Sequence, residues 1–259
     1  MALVIDLSGR IVLVTGGVRG VGAGVSRTFL AAGATVIACA RRPADQPVTS
    51  GDRAIEYRHC DVRDADAVRA MIDDVLARHG RIDHLVNNAG GAPFALAAAA
   101  SANFHAKIIE LNLLAPLMVS QIANAVMQRQ DDGGTIVNIS SVSGHRPSPG
   151  TAAYGAAKAG VDSLTASLAV EWAPKVRINS LVVGPVDTEL SHLHYGDQAG
   201  VDAVGATIPL GRLAAPDDIG RCAAFLASPL AAYVSGATLL VHGGGERPAF
   251  LAAANAEHD

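Results

Sequence analysis

The sequence predicts an α/β protein with a doubly wound, seven-stranded parallel sheet that carries helices on both faces. Short apolar runs alternate with longer segments of helical periodicity along the chain. The apolar runs are continuous rather than alternating, which is typical of strands buried on both faces of a parallel sheet. The chain has 259 residues, half of them apolar, and is therefore long enough to bury a large core.

Seven apolar runs are the predicted strands. In chain order they are residues 11–14, 35–39, 55–59, 84–86, 135–139, 176–183 and 238–241. Their alternation with helical segments implies βαβ units joined by right-handed crossovers.

Helical patterns lie between these strands. One begins in a glycine-rich turn after the first strand and ends near Gly33, and others cover residues 111–128, 152–172 and 216–226. A further helix is indicated by apolar residues at positions 68, 71, 72, 75 and 76, which share one helix face. We expect helix ends at Gly80 and Pro174 and a first helical turn at Pro216.

Composition and charge narrow the class of protein. The net charge is −4 and no run of Lys and Arg forms a basic patch, so a nucleic-acid partner is not expected. The three cysteines (Cys39, Cys60 and Cys222) are widely spaced, and we find no signal peptide and no apolar stretch that suggests a membrane span. These features predict a reduced, cytoplasmic protein.

The chain shows no internal division. No repeat, linker or low-complexity block interrupts it, so residues 1–259 are predicted to form a single domain with a tail over residues 246–259. No cluster of His, Cys and carboxylate residues has metal-ligand spacing, so we expect no metal.

A glycine-rich turn follows the first strand and opens a helix. Gly16, Gly20 and Gly22 allow the backbone to turn tightly and to approach a pyrophosphate closely. The free N–H groups and partial positive charge of the helix N-terminus suit that anion. The turn lies at the first strand–helix junction, where doubly wound folds bind dinucleotides.

The spacing T-G-x-x-x-G-x-G of this turn resembles that of the short-chain dehydrogenase/reductase family. Further motifs follow in the family's order: Cys60-Asp61-Val62, Asn87-Asn88-Ala89-Gly90, Asn112, the run TIVNISS that ends at Ser141, and Tyr154-Gly-Ala-Ala-Lys158. The resemblance covers nearly the whole chain and implies a Rossmann-type, NAD(P)-binding domain.

The resemblance also implies which residues contact the cofactor. They are Gly16, Arg19, Gly20, Val21, Gly22, Arg41, Arg42, Asp61, Val62, Asn88, Ala89, Gly90, Tyr154, Lys158, Gly184, Val186 and Thr188.

Tyr154 and Lys158 are the predicted centre of the chemistry. A ketone that accepts a hydride needs a proton, and a tyrosine with a pKa of about 10 is a poor acid or base near neutrality. Lys158 lies four residues later on the same helix face, where its ammonium group would lower that pKa. The alternative is a solvated lysine beside a core tyrosine.

The resemblance adds two more catalytic residues. It implies that Ser141 hydrogen-bonds the substrate oxygen, although Ser140 and Ser143 are close enough in sequence to be confused with it. It also implies that Lys158 holds the nicotinamide ribose and that Asn112 supports a water molecule in a proton relay. Alternatively, the serines satisfy turn backbone and Asn112 bonds to helix backbone.

The end of the second strand predicts the choice of nicotinamide cofactor. An acidic residue there would bond the ribose 2′-hydroxyl of NAD, but this chain has Ala40, followed by Arg41 and Arg42. Arg19 lies in the glycine-rich turn beside the same site. Guanidinium groups suit a phosphate dianion, so we expect NADP(H), with solvated loop charges as the alternative.

The sequence departs from the family after the sixth strand. Val183 stands where the family has proline, and Pro185 follows Gly184 instead of preceding it. Val186 and Thr188 still match positions that contact the nicotinamide amide in the family, and the altered turn lies directly before them.

The resemblance identifies residues 188–209 as the segment that covers the substrate. His192, His194 and Tyr195 are either pocket residues or exposed loop residues. Together with the apolar loop after Gly90, the segment hints at a bulky apolar ketone or an acyl thioester. His242 replaces the family's aspartate after the last strand, and we expect it to be a surface turn residue.

The leading hypothesis is therefore an NADP(H)-dependent ketone reductase or alcohol dehydrogenase. One alternative is an NAD-dependent dehydrogenase of the same family, which Arg19 and Arg41 argue against. Another is a non-catalytic nucleotide-binding regulatory protein, which the four catalytic candidates argue against. The resemblance also implies a homo-oligomer, a dimer or tetramer, packed through its long helices and last strand.

Overall fold

The structure is a computed structural model that describes residues 4–253. It contains the predicted seven-stranded parallel sheet, in which all neighbouring strands run in the same direction. Its strands are β1 (Ile11–Thr15), β2 (Thr35–Ala40), β5 (Glu56–His59), β6 (His84–Asn87), β7 (Gly134–Ser141), β8 (Val176–Val183) and β9 (Thr238–Val241). The sequence did not predict the short hairpin of β3 (Thr49–Ser50) and β4 (Arg53–Ala54).

The strand order places a crevice in the middle of the sheet. The order is β5-β2-β1-β6-β7-β8-β9, so the chain builds outward from β1 to β5 and then returns to add β6 on the other side of β1. The connections leave β1 and β6 in opposite directions. In doubly wound sheets, ligands bind at the carboxyl ends of the strands beside this switch point.

Nine α-helices lie in the described part of the chain. They are α1 (Gly20–Ala31), α2 (Ala65–His79), α3 (Ala102–Ile109), α4 (Ala115–Met127), α5 (Ala152–Glu171), α6 (His192–Tyr195), α7 (Gln198–Thr207), α8 (Pro216–Ala227) and α9 (Ala249–Ala253). The predicted boundaries hold at α2, where Gly80 is left-handed with φ of 75°, and at α8, where Pro216 occupies the first turn.

The helix predicted over residues 111–128 begins earlier in the structure. It starts at α3, where the Ser101 side chain accepts a hydrogen bond from the backbone N–H of Phe104 as an N-cap. A π-helical turn, Glu110–Leu114, then joins α3 to α4. By length and composition alone, Ala102–Met127 could cross a membrane. This segment packs against α2, α5 and the sheet.

Two apolar cores lie on opposite faces of the sheet. Side chains of β1 alternate between them: Leu13 packs toward α2 and α4, and Val12 and Val14 pack toward α1 and α8. All five residues of β1 are buried, as a central parallel strand requires. The helices on both faces thus leave only the strand ends open to a ligand.

Candidate active site

A cleft with a volume of about 910 Å³ runs across the carboxyl ends of the strands at the switch point. It is lined by the glycine-rich turn, the ends of β2, β7 and β8, the loops after β5 and β6, the first turns of α5, and the segment after β8. Every residue predicted to bind the cofactor lines it, and so do Ser141, Tyr154 and Lys158. Asn112 does not line the cleft but lies behind it, fully buried.

The glycine-rich turn has the backbone shape that its sequence suggests. Gly16 has φ of 64°, a conformation that other residues rarely adopt. A Cβ atom on Gly22 would lie 2.1 Å from the carbonyl oxygen of Gly16, so only glycine fits there. The first turn of α1 can therefore fold back against the end of β1 and point its N–H groups toward the cleft.

Asn88 and Thr15 fix this turn to the end of β6. The Asn88 side-chain amide donates hydrogen bonds to the carbonyl oxygens of Thr15 and Gly16, at 3.1 and 3.2 Å. The Thr15 hydroxyl accepts from the backbone N–H groups of Asn88 and Ala89, both at 3.0 Å. The two loops that would hold a dinucleotide therefore support each other.

Three arginines lie at one end of the cleft. Arg19, Arg41 and Arg42 line that end and are exposed, and β2 ends at Ala40 without an acidic side chain. Two carboxylates line the same end. They are Asp45 and Asp61, the second of which accepts two hydrogen bonds from the Arg63 side chain.

The Arg63 contact leaves Asp61 firmly ionised. Hydrogen bonding to Arg63 lowers the pKa of Asp61 to about 2, and the nearby charge of Arg41 acts in the same direction. The negative charge of Asp61 is thus already balanced within the protein.

Ser141, Tyr154 and Lys158 meet at the other end of the cleft. Ser141 ends β7, and the other two lie one turn apart near the start of α5. The Ser141 hydroxyl accepts a hydrogen bond from the backbone N–H of Ser143 at 3.2 Å. The Lys158 ammonium group lies 5.5 Å from the centre of the Tyr154 ring and donates to the carbonyl oxygen of Ile139 at 2.7 Å.

The pKa of Tyr154 is raised in the structure, whereas the sequence predicted that Lys158 would lower it. Burial raises the pKa of Tyr154, and the nearby Ser141 hydroxyl only partly opposes this effect. The expected lowering by Lys158 is absent because the ammonium group lies over the ring and bonds to Ile139. Burial lowers the pKa of Lys158 itself to about 8.

Asn112 lies in the π-helical turn and bonds to backbone. Its side chain accepts from the Gly91 N–H at 2.8 Å and donates to the carbonyl oxygens of Gly91 and Ile108. π-Turns inside helices are frequent at functional sites. In this arrangement the Asn112 side chain fixes the loop after β6 against the helix.

The segment after β8 reaches the cleft despite its altered sequence. Gly184, Val186 and Thr188 line the cleft, and the chain is held by a bridge between Val186 and Ala214. The Glu189 carboxylate accepts a hydrogen bond from the backbone N–H of Gly20 at 3.2 Å. A carboxylate thus lies where the glycine-rich turn would receive a phosphate, which the sequence did not predict.

The substrate-covering segment contains α6 and α7. His194 and Tyr195 line the cleft, whereas His192 is exposed and does not. Burial raises the pKa of Tyr195. In the predicted tail, Glu246 pairs with Arg146 at 2.5 Å, and residues 254–259 lie outside the described residues, as do residues 1–3 of the predicted domain.

His242 lies in the bend after β9 and is partly exposed, with its Cα and Cβ atoms close to Gly184.

A buried amide network was also missed by the sequence analysis. The Asn87 amide donates to the Ser120 hydroxyl and to Asn138, and the Asn138 amide donates to Thr165. These bonds join β6 and β7 to α4 and α5. The only signal in the sequence is polar residues within apolar runs.

The residues of the cleft fit a nicotinamide dinucleotide. One end offers guanidinium groups, the middle offers a glycine-rich turn at a helix N-terminus, and the other end holds a tyrosine and a lysine. The volume lies within the range of ligand pockets. Within residues 4–253, no group of three His, Cys, Asp or Glu side chains could hold a metal ion.

Comparisons with known proteins agree with this geometry. The sequence profile described as "Enoyl-(Acyl carrier protein) reductase" matches residues 16–246. The chain is 36% identical over 246 residues to a peroxisomal 2,4-dienoyl-CoA reductase of Pongo abelii, covering 92% of this chain and 84% of the relative. It is also 36% identical to a D-threitol dehydrogenase of Mycolicibacterium smegmatis, covering 92% and 93% of the two chains.

Solved structures show the same fold. The aldohexose dehydrogenase of Thermoplasma acidophilum superimposes with a TM-score of 0.86 at 31% identity, covering 93% of this chain and 96% of that one. A short-chain dehydrogenase/reductase from Serratia marcescens gives a TM-score of 0.83 at 28% identity, covering 92% and 98%. The chain therefore belongs to the short-chain dehydrogenase/reductase family, whose members are NAD(P)(H)-binding oxidoreductases that act on alcohol and carbonyl groups.

Proposed function

We propose that this protein uses NADP(H) to interconvert a ketone and a secondary alcohol, and that it acts mainly as a ketone reductase. The proposal rests on the side chains that one cleft brings together. Ser141, Tyr154 and Lys158 line one end, and Arg19 and Arg41 line the other.

The proposed mechanism assigns a task to each catalytic side chain. Bound NADP(H) supplies the hydride. The Ser141 and Tyr154 hydroxyls hold the carbonyl oxygen, and Tyr154 gives its proton to the alkoxide that develops there. Lys158, which is protonated below its pKa of about 8, would stabilise the phenolate that Tyr154 leaves behind once its ammonium group turns from Ile139 toward the Tyr154 oxygen. Asn112 holds the loop after β6 and supports the proton relay to Lys158.

The catalytic assignment is tested by Tyr154→Phe. We expect turnover of a ketone panel with NADPH to fall by about 10²- to 10⁴-fold, the usual contribution of a general acid, while NADPH binding is kept. Tyr233→Phe is the matched control, since Tyr233 is fully exposed. Near-wild-type turnover by Tyr154→Phe would contradict the assignment.

The preference for NADP(H) rests on Ala40, Arg19, Arg41 and Arg42. No acidic side chain ends β2, and the three guanidinium groups line the end of the cleft that would hold the adenosine ribose. NAD(H) is the second candidate, because the Asp45 carboxylate also lines this end. We favour NADP(H) because three arginines face the single Asp45 carboxylate at this end, and the charge of Asp61 is already paired with Arg63.

The proposed substrate is a bulky apolar ketone or an acyl thioester. Phe94 and Leu96, in the loop after β6, are 70% and 56% exposed, and Leu190 of the covering segment lines the cleft. Relatives include a 2,4-dienoyl-CoA reductase and a 3beta-hydroxysteroid dehydrogenase, but also a D-threitol dehydrogenase. A panel of alicyclic ketones, keto-acyl thioesters and keto sugars tests this point, and a preference for keto sugars would contradict it.

We also propose that the protein is a cytoplasmic homo-oligomer. Its three cysteines are free, which suits a reducing compartment. The outer edge strand β9 exposes Leu239 and Leu240, and α5 exposes Val170. Light scattering should find a dimer or tetramer and a smaller species for Leu240→Arg, whereas a wild-type monomer would contradict the proposal.

A further inference from the structure

A buried carboxylate lies directly behind the catalytic end of the cleft. Asp162 is on α5, one turn after Lys158, and its side chain is 10% exposed. Its Oδ2 atom accepts from the Ser140 hydroxyl at 2.9 Å and faces His145 Nε2 at 2.8 Å, and its Oδ1 atom accepts from the Ser180 hydroxyl at 2.5 Å. The proposed mechanism does not use any of these four residues.

Hydrogen bonds to other parts of the fold compensate for the cost of burying this carboxylate. A buried carboxylate is costly unless hydrogen bonds or charges balance it. Here the partners come from three other parts of the chain: the end of β7, the turn after β7, and β8. Charge-assisted hydrogen bonds of this kind are short and strongly directional, so they fix the relative positions of the groups they join.

These contacts enclose Ser141 on both sides. Ser140 precedes it and His145 follows it after one 3₁₀ turn, and both contact the same oxygen of Asp162. The strand is tied a second time to α5, because the Ser140 hydroxyl also lies 3.2 Å from the Lys158 carbonyl oxygen and Lys158 Nζ donates to Ile139.

Resting on the proposed function, we propose that Asp162 is a positioning residue for catalysis. It locks the end of β7, which carries Ser141, against the helix that carries Tyr154 and Lys158. Its carboxylate also acts on the Lys158 ammonium group one helical turn away. Without Asp162, the Ser141 and Tyr154 hydroxyls would no longer be held in the relative positions needed to bind one substrate oxygen.

The electrostatic effect on Lys158 supports the proposal. Burial lowers the pKa of Lys158 to about 8, and the Asp162 carboxylate acts against this by raising it. In the described part of the chain, the titratable groups that face Asp162 are Lys158 on its own helix and His145 from the turn after β7. The packed strands β7 and β8 contribute the hydroxyls of Ser140 and Ser180.

Asp162→Asn is the test variant. An amide has nearly the same shape but accepts hydrogen bonds at only one of its two terminal atoms, so one side of the network loses its acceptor. We expect kcat with NADPH and the best ketone to fall by about 10- to 100-fold, as for an error of about 1 Å in the alignment of reacting groups, with a much smaller change in KM. Glu171→Gln is the control, because it removes an exposed carboxylate from the same helix.

A second readout does not need turnover. The chain has only three lysines, Lys107, Lys158 and Lys175, so ¹⁵N-lysine labelling gives three Nζ signals that can be titrated by NMR. In Asp162→Asn we expect the Lys158 midpoint to move to lower pH while the other two stay. A kcat close to that of Glu171→Gln, or an unchanged Lys158 midpoint, would overturn the proposal.

Two further outcomes are distinguishable. If the wild type turns over no ketone, the proposed function fails, and the Lys158 titration still tests the action of Asp162. If Asp162→Asn does not fold, Ser140→Ala removes the contact from β7 alone. It should show the same loss in kcat at unchanged NADPH affinity, and wild-type kcat in this variant would overturn the proposal.

Discussion

At the scale of single residues, Lys158 is a buried cation whose charge works against folding. Burial lowers its pKa from an ordinary 10.5 to about 8. Between these two values the unfolded chain binds more protons at this residue than the folded chain does. The free energy of unfolding therefore gains from Lys158 as the pH rises through this window.

Lys158→Met isolates this effect. We expect the stability of the wild type relative to Lys158→Met to rise by up to about 3 kcal/mol between pH 8 and 10.5, since one pKa unit corresponds to about 1.4 kcal/mol. Urea unfolding of both proteins across this range measures the difference. A difference that is constant with pH, or that falls as the pH rises, would show that Lys158 is not held at a lowered pKa.

Glu189 is a second residue whose charge has a direct consequence. Its carboxylate accepts from the Gly20 N–H at the start of α1, where the glycine-rich turn would bind a pyrophosphate. Two anions compete for the same positive end of the helix dipole. We therefore expect binding of the dinucleotide to displace this side chain.

Glu189→Gln should consequently bind NADPH more tightly. Interactions with a helix terminus are worth about 0.3–1 kcal/mol, so we expect a gain in affinity of about two- to fivefold. Titration of Glu171→Gln, which carries the same change in charge outside the cleft, provides the control. Weaker binding by Glu189→Gln would mean that the carboxylate assists the cofactor instead.

The sequence predicted some of these residues and not others for a clear reason. Tyr154 and Lys158 could be found because their relation is local, four positions along one helix. Glu189 contacts a residue 169 positions away, and Asp162 contacts Ser140 across 22 positions. Neither contact has a periodicity or a motif that could reveal it before the fold is known.

At the scale of elements, the packing of α1 against α8 depends on a glycine. A Cβ atom on Gly24 would lie 2.3 Å from the carbonyl carbon of Pro216, which belongs to the backbone and cannot rotate away. The glycine therefore sets how closely the two helices approach on one face of the sheet. Since α1 opens at the cleft, this approach also positions its N-terminus.

Gly24→Ala should be destabilised by about 1–3 kcal/mol, as is usual for an overpacked core. The matched control is Gly205→Ala in α7, where the added Cβ would lie at an ordinary contact distance of 3.4 Å from its nearest neighbour. Urea unfolding compares the two. Equal stability of both variants would contradict the assigned packing of α1 on α8.

Element boundaries were predictable wherever a local signal marks them. Gly80 and Pro216 mark the end of α2 and the start of α8 as expected. The start of α3 was missed although Ser101 caps it, because the segment before it is rich in alanine and lacks a clear amphipathic pattern. The π-turn at Glu110–Leu114 has no sequence signal of its own.

At the scale of the whole molecule, the strand order explains why the site lies where it does. Continuous apolar runs predicted a parallel sheet, and parallel crossovers bring all carboxyl strand ends to one edge. The glycine-rich turn after β1 and the loop after β6 then meet at the switch point. The hairpin of β3 and β4 was not predictable, because it joins mostly exposed residues outside the core.

The preference for NADP(H) over NAD(H) can be tested by one direct measurement. Fluorescence titration of the wild type with NADPH and with NADH should give a dissociation constant about 10- to 100-fold lower for NADPH, as expected for hydrogen bonds to a charged phosphate. Arg41→Ala should reduce this ratio, and Arg69→Ala, an exposed arginine of α2, should leave it unchanged. Equal or tighter binding of NADH by the wild type would contradict the account.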